Sequence, residues 1–560
     1  MLGIREQVHE GGVHTQAYES TPVRVGRMRR HAAVVAVGML IATAICLSGG
    51  SAVSVAADYQ DANGNVCEGP SCASWTGVIG GSRNTALGVT TLRPSTTGSN
   101  NVSVGEDTLR SNTTGESNVA TGARALFANT EGIDNAAYGG DALFRNTIGS
   151  NNVASGYQAL FSNTEGRSNV ASGYQALFFN STGDNNIATG ADALFANQTG
   201  QDNLATGNSA LLNNGTGNNN VASGTGALLF NQTGNDNLAT GFHALFNNNG
   251  NNNLALGTNA LQANTTGSNN VAGGMSALAA NTTGHDDLAL GANALVSSTQ
   301  AINDVALGSS ALRSNATGAS NFAGGVNALQ ANTTGNSGVA VGTGALSANT
   351  TGANNVAAGT QALSTNTTGH DNVAVGFRAG LKLTTGVNNV DIGSRGAAGD
   401  SGTIRIGTVG SQTAAFMAGI NGASITGPTQ PVLVNSSGQL GTATSSSGAI
   451  KTDIHGLGAT AGRLLALRPV SYRYKTPYAQ SPNPLQFGLI AEQVAREFPA
   501  LIQRGPDGKP AGVYYQQLPV LLLAQVRRQQ REIDTLQAQN RRLHHQQRQI
   551  HWLIRQARHR

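Results

Sequence analysis

Cleaving a glycan requires two carboxylates that face one bond, and this chain has few carboxylates to pair. Its 560 residues carry 29 Asp and Glu in all. Glu131 and Glu165 share a phase, each within an N-T-E-G tetrapeptide, but stand two repeat units apart. Glu106 and Glu116 fall at other phases, and His243, His285 and His370 are scattered without ligand spacing. Cys67 and Cys72 suit a small disulfide loop in an oxidising compartment, or stand as two free thiols. Two cysteines alone do not make a metal site. The body of the chain therefore predicts no catalytic centre for an external substrate, no metal and no cofactor.

Composition points to an ordered repeat. Charged residues are 11% of the chain, Gly numbers 74 and Pro only 13. A conventional enzyme core needs more large apolar residues, and disordered chains are richer in charge or Pro. The formal charge of +4 is concentrated in Arg24, Arg27, Arg29 and Arg30 and in the C-terminal stretch. It implies no nucleic-acid partner. From Arg27 a basic start leads into the apolar run Ala32–Leu47 and then small residues before Asp58. That is the layout of a secretory signal peptide, with cleavage after Ala56 or Ala57. An N-terminal membrane anchor is the alternative, although the run is short for one.

The elements that fill the body repeat. An Asn, mostly before Val, Leu or Ile, stands at 84, 101, 118, 135, 152, 169, 186, 203, 220 and 237, and the series resumes at 253 and runs to 389. Every step is 17 residues except the 16 from 237 to 253, and only Asp287, Asp304 and Gly338 depart in type. A period held this long marks a solenoid. Each unit holds x-V-A-x-G, then x-A-L-x-x-N, then a Gly-bearing turn such as T-T-G. The pattern predicts one coil of two short strands and two turns, with Val and Leu rows inside and Asn-Thr turns outside. The many Ala and Gly residues allow backbones to approach closely. Several chains around one axis is one reading, and a monomeric parallel solenoid is the other.

The phrases NVASGYQALFSNTEG and NVASGYQALFFNSTG resemble the head repeats of YadA-like trimeric autotransporter adhesins, over about 84–400. The resemblance implies left-handed β-rolls wound about a shared three-fold axis. The period here is longer than that family's common repeat, the extra residues reading as a longer turn.

Past Asn389 the repeat fades into a neck with the strand-like pieces TIRIG, AAFMAGI and PVLVN. At Ile450 charge rises and a small domain begins. It reads as a helix near Leu457–Leu467, a strand at Pro469–Tyr474, a strand running into a helix in FGLIAEQVAREFPALI, and a long terminal helix with Pro519 near its start. The heptad positions Leu522, Val526, Ile533, Leu536, Asn540, Leu543, Ile550 and Ile554 predict a coiled-coil seam, with Asn540 able to fix register. A single amphipathic helix packed on its own domain is the alternative. The segments SSSGAIKTDIHGLG, LLALRPVSYRYKT, FGLIAEQVAREFPALI and GVYYQQLPVLLLAQV resemble the peptidase S74 family, over about 440–560. That family comprises the intramolecular chaperones of phage tail spikes, tail fibres and bacterial surface proteins. The resemblance implies trimerisation, assistance to the preceding β-structure, and self-release at a serine placed before a lysine. It maps that pair onto Ser446 and Lys451, with cleavage between Ser445 and Ser446. A serine needs a base to act as nucleophile, and a lysine desolvated enough to be neutral can serve. Family members commonly carry basic residues between the two, where this chain has Ser447, Gly448, Ala449 and Ile450.

The expected architecture is therefore mainly β: a leader over 1–57, a cap or linker over 58–83, a left-handed β-roll stalk over 84–400 in which three chains share one axis, and a β-rich neck over 401–445. A small α+β module over 446–560 follows, with a coiled coil over 520–556. The expected protein is a secreted or bacterial cell-surface homotrimeric fibre that binds a glycan or protein on a host or surface and no nucleic acid. A phage tail fibre or spike is the alternative, as is an uncleaved trimerisation module on a non-adhesive surface protein.

Overall fold

The computed structural model describes residues 59–69, 80–93, 96–418, 420, 429, 431–435, 437–442, 448–475, 483–505 and 507–559. The leader and Cys72 lie outside the described residues. The chain divides into two compact units, Met1–Asn421 and Gly422–Arg560.

The first unit is a β-solenoid. β1 (Tyr59–Gln60) folds antiparallel onto β2 (Val66–Glu68), which pairs in parallel with β3 (Thr85–Leu87). From β3 to β21 (Val390–Ile392), nineteen three-residue strands follow one per coil, and β22 (Ile404–Ile406) ends the 22-stranded sheet. The register is uniform: Ala171 lies opposite Ala188, and Ala188 opposite Ala205. Cys67 is fully buried and disulfide-bonded at the first coil.

Each coil has one strand, where the sequence suggested two. The x-A-L segment is a run of turns, because two residues in it adopt left-handed backbone. Asp192 has φ 55° and Leu194 φ 51°, and the neighbouring coils repeat this. A left-handed non-glycine residue costs about 1–2 kcal/mol. Burying a leucine contributes about 1.5–3 kcal/mol, so the turn is retained: Leu194 is fully buried, and its N–H donates to the Ala210 carbonyl of the next coil at 3.0 Å.

The rows also sit differently from expectation. In a three-residue strand only the central side chain faces inward. That residue is Ala, as in Ala188, while Ile187 before it is 43% exposed. The Val row therefore faces outward, and the core of a coil is two alanines and one leucine, such as Ala188, Ala193 and Leu194. The asparagines expected outside are inside, in two ladders. Asn186 donates its N–H to Asn169 Oδ1 at 2.9 Å and its amide NH₂ to the Gly200 carbonyl at 2.8 Å. Asn197, in the turn of the same coil, donates to Asn180 Oδ1 at 2.7 Å and to the same Gly200 carbonyl at 3.0 Å. Burial is possible because each amide meets partners in its own turn and in the coils on either side.

The sixteen-residue step is absorbed in a turn. Asn248 donates to the Gly250 carbonyl at 2.8 Å, two residues on rather than three. Both ladders pass through it, with Asn253 N–H on Asn237 Oδ1 at 3.0 Å and Asn264 Nδ2 on Asn248 Oδ1 at 2.6 Å. The glycine that ends each strand is fixed by conformation and by space. Gly173 has φ +142°, and a Cβ there would lie 2.4 Å from the Gly190 carbonyl oxygen.

Two outcomes are expected from thermal unfolding of the stalk followed by circular dichroism. Asn186→Ala leaves the buried Asn203 N–H unmatched and costs about 1–3 kcal/mol, whereas the outward Thr189→Ala changes little. Gly173→Ala lowers the midpoint clearly, whereas Gly140→Ala, whose Cβ would come no nearer than 3.4 Å to any atom, the Tyr157 ring, does not.

Candidate processing site and assembly helix

The second unit opens with a two-stranded hairpin, β23 (Leu433–Val434) and β24 (Leu440–Gly441). Of the neck pieces, TIRIG contains β22 and PVLVN contains β23, but Ala414–Ala418 of AAFMAGI form no strand, and Phe416 is 95% exposed. With no neighbouring strand to pair with, an apolar segment has nothing to fix it as β.

Ser445, Ser446 and Ser447 lie outside the described residues. The description resumes at a short 3-10 helix, Gly448–Ile450, and Lys451 follows it, exposed, with its backbone N–H on the Gly448 carbonyl at 3.3 Å. The fold beyond is a small α+β unit. A nine-residue 3-10 helix over Gly458–Ala466 precedes β25 (Val470–Tyr472), which pairs antiparallel with β26 (Gln486–Gly488). Next come α1 (Ala491–Glu497), then β27 (Ile502–Arg504) paired with β28 (Pro510–Val513), and then α2 (Leu518–Arg558).

This unit has its own core. Val494, Phe498, Leu501, Ile502 and Leu521 are buried together, with Leu464, Leu467 and Val513 packed around them. Arg463 lies over the Phe498 ring at 5.9 Å and pairs with Glu497 at 3.4 Å, which ties the 3-10 helix to α1. The Leu489 N–H donates to the Tyr515 hydroxyl at 2.8 Å. Only the start of α2 enters this core, through Leu518 and Leu521, and Gln525 one turn on is buried as well. The rest of its 41 residues extends away with its apolar residues uncovered. Leu522, Val526, Ile533, Leu536, Leu543, Ile550 and Ile554 are 46–62% exposed, and Asn540 is exposed with them.

In the stalk, the titratable groups serve local structure. His243 stacks on Phe242 with ring centroids 3.7 Å apart. His285 pairs with Asp286 at 2.7 Å, and His370 with Asp371 at 2.6 Å, and these contacts hold both aspartates below the usual carboxylate range. Glu106, Glu116, Glu131 and Glu165 are exposed on turns. Among the described residues no three His, Cys, Asp or Glu converge as a metal site. The composition of the coils gave no warning of one surface feature, a stack of five rings from Phe127 to Phe195 at 4.9–5.2 Å spacing. The stacked faces cover one another, so the rings offer edges rather than a platform for a sugar.

Residues 446–503 match the family model described as chaperone of endosialidase, Peptidase_S74. No curated protein and no solved structure matches the chain. The matched segment contains Ser446, Lys451 and most of the small α+β unit, and it ends before α2.

The one-sided anchoring of α2 predicts unequal effects of truncation. Leu521→Ala should cost the module about 2–5 kcal/mol. Leu523→Ala, at a 55% exposed position, should leave the module's own melting unchanged in calorimetry of the full chain.

Proposed function

We propose that the chain is a structural fibre protein of the tail-spike or surface-fibre kind, in which the C-terminal module assembles three copies and then cuts itself free. The observation that carries this reading is the union of a β-solenoid with an S74 chaperone module. S74 chaperone domains of fibres are associated with trimeric assemblies. Three physical features support the same reading. The first outward strand position is apolar in nearly every coil and half-exposed in a single chain, as at Val153, Ile187, Leu204 and Leu238. The apolar row of α2 is likewise uncovered. Nineteen near-identical coils can also pair between chains in many wrong registers, and a separate association element resolves that choice.

Cleavage between Ser445 and Ser446 would divide the neck from the module. Ser446 Oγ would attack the preceding carbonyl while Lys451, in its neutral form, takes the hydroxyl proton. The proton then passes to the nitrogen that leaves the peptide, and water releases the acyl group. A secreted or cell-surface adhesive fibre is the biological setting that the signal-like leader favours, with a glycan or protein as the ligand of the stalk.

Mass photometry of the purified stalk should give three times the mass of its chain, and a single-chain mass near 56.9 kDa for the full-length protein would refute assembly. On denaturing gels the wild type should run as two fragments, the smaller spanning Ser446–Arg560. Ser446→Ala and Lys451→Ala should each run as one band and still assemble. An uncut wild-type trimer would leave the module as a permanent clamp.

A further inference from the structure

Two successive coils interrupt the first asparagine ladder with carboxyls, Asp287 and Asp304. Between them the second ladder is interrupted as well: Ser298 stands for its asparagine, and Ala301 for the glycine that follows. These exchanges fit one another. In a regular coil a Cβ on that glycine would lie 2.4 Å from the ladder asparagine's Oδ1, as at Gly267 against Asn264. The shorter Ser298 makes room for the Ala301 methyl group. The exchange leaves Asn281 Oδ1 and Ser298 Oγ buried without hydrogen-bond partners.

The carboxyls occupy positions built for a donor. Asp287 N–H donates to Asn270 Oδ1 at 3.1 Å, and Asp287 Oδ1 accepts the Asp304 N–H at 2.9 Å. Asp304 Oδ1 in turn accepts the Asn321 N–H at 2.7 Å, and its Oδ2 accepts Asn315 Nδ2 at 2.7 Å. Asp287 Oδ2 is buried and has no partner. In a regular coil the corresponding atom is an amide nitrogen that donates to the carbonyl fourteen residues on, as Asn270 does to Gly284 at 2.9 Å. An ionised carboxylate cannot donate there, and a carboxylic acid can.

The hydrogen bonds that these carboxyls accept favour the charged forms, but burial outweighs them. Asp287 and Asp304 are buried to within 1% exposure, and the adjoining ladder positions are the amides of Asn270 and Asn321. Asp286 and His285, on the same turn as Asp287, are exposed and pair with each other, and Arg313 on the following coil is exposed. Burial pushes Asp287 up to about 8, with the Asp304 charge adding to it, and pushes Asp304 up to about 7.

We infer that Asp287 and Asp304 form a proton-dependent joint in the stalk, whose coils close on two carboxylic acids and loosen when these ionise. The sign follows from linkage. The folded coils bind these protons more tightly than the unfolded chain, so their contribution is fully present below about pH 4. It declines as the pH rises and is lost through the range from about 7 to about 8.

Hydrogen–deuterium exchange on the full chain tests this, comparing peptides within 282–321 with peptides within 169–203 after correction for intrinsic rates. Between about pH 5 and about pH 9, local opening of 282–321 should rise at least about tenfold relative to the reference segment. Asp287→Asn combined with Asp304→Asn, which restores the regular ladder and so keeps the fold, should abolish that rise. An equal pH response in both segments, or a rise that persists in the double variant, would overturn the inference. Full protection of the wild type at high pH by millimolar calcium would also overturn it, because the pair would then be a cation seat. The readout is local, so the separate buried carboxyl of Asp391 at the far end of the stalk does not contribute to it.

Discussion

The stalk depends on a buried side-chain amide that both gives and receives hydrogen bonds along one axis. In the regular coils each ladder asparagine presents Oδ1 to the coil after it and its NH₂ to a carbonyl, so a polar residue lies in the core with its bonds met. Only an amide of this length does both at once. The remaining features follow. The turn glycine must lack a Cβ, because two amides converge on its carbonyl: at Gly200 a Cβ would meet Asn197 Oδ1 at 2.4 Å and Asn214 Nδ2 at 2.7 Å. The core can then be as thin as two alanines and a leucine, since the ladders contribute rigidity that apolar area alone does not. The period is fixed for the same reason. A shortened coil survives where the lost residue falls between the ladder asparagine and its glycine, as before Gly250.

A structure whose contacts all run to the adjacent coil is nearly one-dimensional. Each coil is stable only on a coil already formed, and the β1–β2 hairpin and the buried, disulfide-bonded Cys67 close one end. Such a chain has strong local order but weak information about register, because Ala171, Ala188 and Ala205 see almost the same neighbours. The C-terminal unit is built in the opposite way. Its core of Val494, Phe498, Leu501, Ile502 and Leu521 joins elements of different kinds that do not repeat, so it has one arrangement and no register to mistake. In the proposed assembly, joining the two kinds of structure in one chain would separate the problem of forming coils from the problem of aligning them.

The sequence exposed the period, the one short step, the three deviating positions and the helices and first strands of the C-terminal unit, but not the strand pair Ile502–Arg504 and Pro510–Val513. It misled where a pattern had two meanings. Alternating Val and Gly around Ala reads as a strand in either orientation, and convention places Val inside. In a strand of three residues only one side chain can face inward, and at the close coil spacing set by the glycines that place fits Ala. Asn-Thr reads as a solvated turn unless one notices that asparagine alone is invariant in type over many coils, which is the signature of a ladder rather than of a surface. The second strand failed for a reason that periodicity does not carry: Leu194 and its equivalents sit in left-handed backbone, which leucine adopts only when burial offsets the cost. The serine and lysine were legible through resemblance alone, since five residues of separation do not determine how two side chains meet.

The same ladder explains why the surface of the stalk is free to vary. The residue after each strand-ending glycine is Ala191, Asn208, Thr225, Phe242, Thr258 and Met275 in successive coils. Neither ladder nor core touches that row, so its substitutions cost the fold little, and Phe242 and Met275 stand about half exposed there. Third strand positions change character as well, from Ser172, Thr189 and Thr206 in the earlier coils to Leu256, Leu290 and Leu307 in the later ones. A scaffold that spends its conserved chemistry inside each coil leaves outward rows on which recognition and chain contact can be written independently. Differences along the stalk are therefore concentrated in its outward rows, while the backbone repeats from coil to coil except at the shortened turn before Gly250.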